Sequence, residues 1–179
     1  MTKTARLYGG SLYDLAVEEG IADELKEQTD LVRSLFRENP DYVHLLSEPS
    51  LPLQERCSLI DKAFGEDAQK YLVNFIKLLC ERGYLGDFAG CCEEFTRRYN
   101  ADHNITQAVV TSAVALSKEQ EAALCARLEK ISGKTVQMSV RIDPAVIGGI
   151  RVEIDGKELD GTVQGRMEGI SRRLEQAAL

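Results

Sequence analysis

The chain has 179 residues, with 22 Lys and Arg against 29 Asp and Glu, a net charge of −7 and a pI near 5.0. Its 44% hydrophobic and 28% charged content suits one or two packed domains, not a disordered chain. The acidic balance excludes nucleic acid as the main partner: phosphate binding needs a concentrated basic face, and the pairs Arg97-Arg98 and Arg172-Arg173 are too short to make one.

From the N-terminus, MTKTARLYGG has no signal-peptide core, and no later apolar run approaches the ~20 residues that span a bilayer. A cytoplasmic chain is expected, able to sit on a membrane-bound partner. A first helix is expected over 5–19 and a second over 21–36, with Leu25, Val32, Leu35 and Phe36 inward. Pro40 and Pro49 bracket a short third helix. A fourth covers 53–64 and stops at Gly65. A fifth covers 68–82 and stops at Gly83, a helix C-cap residue. A sixth covers 85–99. Such short connections fold neighbouring helices back on one another.

Two of these helices carry surplus apolar surface. At about 100° per residue, the apolar side of the fifth covers roughly 220° and that of the first roughly 200°, where one buried stripe needs ~100° or more. Periodicity leaves two readings open. Both helices are central in the bundle, or each has one face in the core and one on an external partner. Gly9, Gly10 and Ser11 are costly inside a helix and make sense where a backbone must approach closely.

The chain changes character near 100–104. QAVVTSAVAL reads as a strand. Ser117 then starts a helix to Ser132, with Gln120 placed for a capping box and Leu124, Leu128 and Ile131 on one face. TVQMSVRI alternates, with Val136, Met138, Val140 and Ile142 on one side; GIRVEID does the same with Ile150, Val152 and Ile154. A last helix starts near Thr162. The expected fold is α+β: a six-helix bundle over 1–104, then a smaller α/β domain over 105–179.

Five scattered cysteines, Cys57, Cys80, Cys91, Cys92 and Cys125, fit reduced thiols. There is no CxxC, and His44 and His103 lack ligand spacing. The cysteines read as structural or incidental, and neither metal nor cofactor is expected.

The stretch IDPAVIGGIRVEIDGKELDG, residues 142–161, tests for a ligand loop. A phosphate loop runs from strand through glycines into a helix, but Gly148-Gly149 leads into a strand. A calcium loop needs alternate carboxylates within about twelve residues, whereas Asp143, Asp155 and Asp160 are twelve and five apart. Turn chemistry fits instead. Asp143-Pro144 opens a connection, Gly148-Gly149 returns the chain to the sheet, and Asp155-Gly156 is a two-residue hairpin. Asp160-Gly161-Thr162 turns into the final helix.

With these residues in view, DPAVIGGIRVEIDGKELDGTVQGRMEGISRRL resembles the C-terminal signature of the delta subunit of F-type ATP synthases, the bacterial relative of the oligomycin sensitivity conferral protein. That signature is a turn, a small-Gly pair, an alternating strand, then Asp-Gly-Ser/Thr and a helix with Arg-Leu. Asp143, Gly148, Gly149, Asp160, Gly161, Thr162 and Arg166 match it, with Met167 where Leu is usual. ARLYGGSLYDLA resembles the family's opening helix, with Gly9 and Ser11 at two Ala positions and Tyr13 for Phe. FIKLLCERGYLGDF resembles its segment between the fifth and sixth helices, with Tyr84 at an Arg position.

The resemblance implies a non-catalytic subunit, one copy per complex, peripheral on the cytoplasmic face of the cell membrane. It implies that the N-terminal helix of an alpha subunit lies between the first and fifth helices, on a groove of Tyr8, Ser11, Leu12, Leu15, Tyr71, Asn74 and Leu78, with Lys77 an alternative to Tyr71. It further implies that the C-terminal domain holds the C-terminal region of the b subunits. The subunit would then join stalk to head against rotor torque, so that proton or sodium translocation drives ATP synthesis. Two other classes are weaker. A thiol- or metal-dependent hydrolase lacks a nucleophile–base arrangement. A free-standing helix-binding adaptor would share the groove but not both terminal motifs.

Overall fold

The computed structural model describes residues 1–162 apart from Glu66, Ile147 and Asp155. Two compact units divide between Asn100 and Ala101. The described residues are α+β: six helices in the first unit, then a four-stranded sheet with one helix in the second.

The first unit holds α1 (Lys3–Glu18), α2 (Ala22–Glu38), α3 (Pro40–Ser47), α4 (Leu53–Phe64), α5 (Lys70–Arg82), a 3-10 turn (Leu85–Asp87) and α6 (Phe88–Asp102). α1 starts two residues before the expected point, because Thr2 caps it: its hydroxyl accepts from the Ala5 amide at 3.0 Å. Gly83 ends α5 at φ +72°, and the Tyr84 amide donates back to the Leu79 carbonyl at 2.8 Å.

The core of this unit contains Leu25, Val32, Ile60, Leu72, Ile76 and Phe95, all at most 3% exposed. Phe36 joins an aromatic cluster with Tyr42, Phe64 and Phe88. Leu35 is not in the core as expected but 37% exposed, while Thr29 is fully buried and donates to the Lys26 carbonyl.

Two glycines set how close the helices approach. A Cβ at Gly9 would lie 2.3 Å from the Cys91 carbonyl oxygen, so the α1 and α6 backbones touch there. A Cβ at Gly10 would lie 2.4 Å from the guanidinium of Arg98. That arginine passes over α1 to reach Asp14 at 2.9 Å and also bonds Glu94 on its own helix at 3.1 Å. The close approach that the glycines anticipated is therefore made within the bundle.

In the second unit, β1 (Ile105–Ser112) pairs parallel with β2 (Thr135–Ile142) through a crossover containing α7 (Lys118–Ser132). β3 (Ile150–Ile154) pairs antiparallel with β1 and with β4 (Lys157–Asp160), giving the order β2-β1-β3-β4. The capping box forms: the Ser117 amide donates to the Gln120 side chain at 2.9 Å, and the Gln120 amide to the Ser117 hydroxyl at 3.3 Å. The core under α7 is Leu128, Ala108, Val110, Val136, Val152 and Ile154. Ile131 and Ile142, expected on buried faces, are 71% and 56% exposed. Ile131 sits one residue before the end of α7 and Ile142 is the last residue of β2. The expected last helix, with Arg166, lies outside the described residues.

Candidate functional site

The residues proposed for the groove come together. Tyr8, Ser11, Leu12 and Leu15 from α1 and Tyr71, Asn74 and Leu78 from α5 line one depression of about 230 Å³. Phe75 completes it. Both helices contribute the same spacing, i, i+3, i+4 and i+7, which places four side chains on one helical face. That spacing on α5 is the signal by which Phe75 could have been found.

The floor and the rim differ. Leu12 is 4% exposed and Phe75 is 7% exposed, so both belong to the core as well as to the groove. Leu78 is 37% exposed, and Ser11 and Asn74 are exposed. The Ser11 hydroxyl donates to the Leu7 carbonyl at 3.0 Å, so its polar hydrogen is already satisfied by its own helix. Tyr8 packs on Tyr84 with ring centroids 5.9 Å apart. The Tyr71 hydroxyl bonds to the carboxylate of Glu19, which raises its pKa, and the Lys70 ammonium sits 5.0 Å over its ring. Lys77, the alternative to Tyr71, pairs instead with Asp61 of α4 and does not line the depression.

The surplus apolar arc is thus mostly core. On α5, Leu72, Val73, Phe75, Ile76, Leu79 and Cys80 are buried. On α1, Val17 belongs to neither part and is 52% exposed. What remains unpartnered between the two helices is a narrow strip centred on Leu15 and Leu78.

The C-terminal signature residues form turns. The Asp143 carboxylate accepts from the Ala145 amide at 2.9 Å, and that of Asp160 from the Thr162 amide at 2.8 Å. The Thr162 hydroxyl, and after it this amide, hold the Asp160 pKa below its ordinary value. Gly148 and Gly149 have φ of +68° and +84°, a region that favours glycine. The Gly161 amide donates to the Ile150 carbonyl at 2.9 Å, and a Cβ at Gly149 would lie 2.5 Å from the Gly161 carbonyl oxygen. Gly149 therefore lets the 160–162 turn close on the start of β3.

Cys91 and Cys92 are in the core, and burial pushes the Cys91 thiol up to about 11 and the Cys92 thiol higher. High thiol pKa values suppress the reactive thiolate. Among the described residues, no group of three His, Cys, Asp or Glu could hold a metal ion, and no helix is long and apolar enough to cross a membrane.

The family model for the ATP synthase delta (OSCP) subunit matches residues 4–174. The chain belongs to that family. Proteins named ATP synthase subunit delta from Desulfitobacterium hafniense (strain DSM 10664 / DCB-2) and Geobacillus sp. (strain WCH70) are 32% and 31% identical to it. The first alignment covers 97% of both chains; the second covers 95% of this chain and 96% of the relative. A chain in the cryo-EM structure of the Toxoplasma gondii mitochondrial ATP synthase hexamer matches with a TM-score of 0.73 at 12% identity, covering 97% of this chain and 98% of that one. At that identity the likeness is one of fold. Within the family, then, this sequence builds an α1–α5 depression and a 160–162 turn that Gly149 lets close on the start of β3.

Proposed function

We propose that this chain is the subunit that ties the catalytic head of a rotary ATP synthase to its peripheral stalk. The first unit binds the N-terminal helix of an alpha subunit in the α1–α5 groove. The second binds the C-terminal region of the b subunits. One copy serves each complex, held at the cytoplasmic face of the cell membrane by its partners. It contributes no catalytic residue. Its work is mechanical: it resists the torque of the rotor, so that ion translocation stays coupled to ATP synthesis.

The observation that supports this reading is the groove. Two antiparallel runs of i, i+3, i+4, i+7 residues flank a strip with an apolar floor and a partly exposed Leu78. An amphipathic helix laid in by its apolar side suits that shape. Each Leu-sized anchor buried is worth ~1.5–3 kcal/mol, so a few anchors make a firm joint.

The test is calorimetric titration with a peptide of the alpha N-terminus. Leu78→Asp and Ser11→Asp each place a charge against the incoming apolar face, which adds a desolvation cost. Binding should weaken at least tenfold, ~1.4 kcal/mol, while circular dichroism stays unchanged, because both side chains are exposed. Wild-type affinity in folded variants would move the alpha site elsewhere.

A further inference from the structure

We propose that the first unit carries a second site, separate from the groove, that takes a small amphipathic carboxylate: an acyl or aromatic body with one terminal acid group. A cavity of about 620 Å³ opens between α2, the start of α3 and the turn into α6, and shares no lining residue with the α1–α5 groove. Its volume falls within the ~300–1,000 Å³ of small-molecule sites, whereas the groove, at about 230 Å³, does not.

The lining states the chemistry of the ligand. Phe36, Val43, Leu85 and Phe88 form an apolar floor, and ring packing between Phe36 and Phe88, with centroids 5.0 Å apart, holds it in place. Arg33 and Arg37 stand one helical turn apart on the wall that α2 supplies. Arg37 has no hydrogen-bond or ion-pair partner among the described residues. Arg33 has one 3.3 Å contact with Glu93, in which both side chains are about half exposed, so little is lost by exchanging it. The carboxylate in the lining, Asp30, is taken by Lys26.

The charge left uncommitted at this cavity is therefore positive, on a chain whose net charge is −7. A guanidinium fork matches a carboxylate, and the floor needs hydrocarbon. An inorganic anion would leave the floor wet, and a neutral apolar molecule would leave Arg37 unused. The lining face of α2, from residue 30 to 37, is about 10 Å long at 1.5 Å per residue, the reach of a medium-length acyl chain.

The experiment uses the full chain with decanoate below its micelle concentration and with decanamide as the uncharged counterpart. Wild type should bind decanoate saturably, one molecule per chain, with amide resonance shifts at Phe36, Leu85 and Ala89 and none along α1 and α5. Arg37→Gln should weaken decanoate at least tenfold and leave decanamide unchanged. Ala89→Trp, which fills the cavity from an exposed lining position, should abolish both. No saturable decanoate binding, shifts confined to α1 and α5, or equal losses of decanoate and decanamide in Arg37→Gln would each overturn the proposal. The shift map on the wild type decides the matter even if a variant fails to fold.

Discussion

Glu94 shows how one side chain can hold two helices. Its carboxylate is 1% exposed, accepts two bonds from Arg97 at 2.7 and 2.8 Å and one from Arg98 at 3.1 Å, and through Arg98 is linked to Asp14 on α1. The Arg97 bonds are the main reason that its pKa falls from 4.5 to about 2; Arg98 adds to them and burial opposes them. A carboxylate whose pKa is lower in the folded state stabilises fully above the unfolded value. That contribution disappears as pH falls from about 4.5 through about 2. Urea unfolding of Glu94→Gln beside wild type should therefore show a gap in stability at neutral pH that closes across this acid window. A gap independent of pH would mean that Glu94 acts by packing alone. Gly149 makes a second residue-scale case. A Cβ there meets the Gly161 carbonyl oxygen at 2.5 Å and the Thr162 Cα at 2.8 Å, at φ +84°. Strain of about 1–3 kcal/mol adds to an overpacking cost of similar size. Gly149→Ala should thus lower the stability of the sheet nearly as much as Gly149→Asp. Gly156→Ala, at φ +71° with nothing within 4 Å, meets the strain alone and should lower it less. Hydrogen exchange of the β1 and β3 amides measures all three. If Ala is harmless at 149 and only Asp damages the sheet, charge and not close approach is the reason for glycine.

At the scale of elements, much of the fold was legible because it is written in local patterns. Leu53–Phe64 and Thr135–Ile142 have the expected bounds, since Pro52 and Gly65 punctuate the first and strict alternation marks the second. Helical spacing puts Tyr8, Ser11, Leu12 and Leu15 on one face, but that this face borders a groove came from the family resemblance, and Phe75 on α5 was missed. What local pattern cannot supply is which neighbour covers a face. Apolar residues around α5 fit a central helix and a docking helix equally well; contacts with α2, α4 and the 3-10 turn decide that most are core. Ile131 and Ile142 keep the period of their elements, yet they stay exposed. Gly9 announced a close approach, but the partner, Cys91, lies 82 residues later in the chain. That crossing gives a prediction for the pair of helices. Gly9→Ala improves intrinsic helix propensity by about 0.8–1 kcal/mol. It also drives a Cβ to 2.3 Å from a backbone carbonyl that cannot swing away, so α1 and α6 must part. Overpacking of ~1–3 kcal/mol should win, and the melting temperature should fall. A rise would show that the helices separate at no cost.

At the scale of the whole molecule, the two hydrophobic cores share no residue. One runs from Ala5 to Phe95, with Tyr99 packed on it; the other runs from Ala108 to Ile154. A unit with its own core is able to fold alone, and about 100 residues is an ordinary domain size. The place to divide them follows from α6, which continues to Asp102, and from Asn104, which turns at φ +53° just before β1 begins at Ile105. A cut after residue 104 keeps α6 whole, whereas a cut at the Asn100–Ala101 division would remove its last residues. We therefore predict that a fragment of residues 1–104 folds and melts cooperatively. Every residue lining the α1–α5 groove lies between 8 and 78, so the fragment contains the whole groove. It should bind the alpha N-terminal peptide within about twofold of the full chain, a difference of roughly 0.4 kcal/mol at 1.4 kcal/mol per tenfold. Circular dichroism and calorimetric titration of the fragment provide the measurement. A fragment that fails to fold would show that the helical unit depends on the second core. A folded fragment with binding weakened tenfold or more would place part of the alpha site after residue 104.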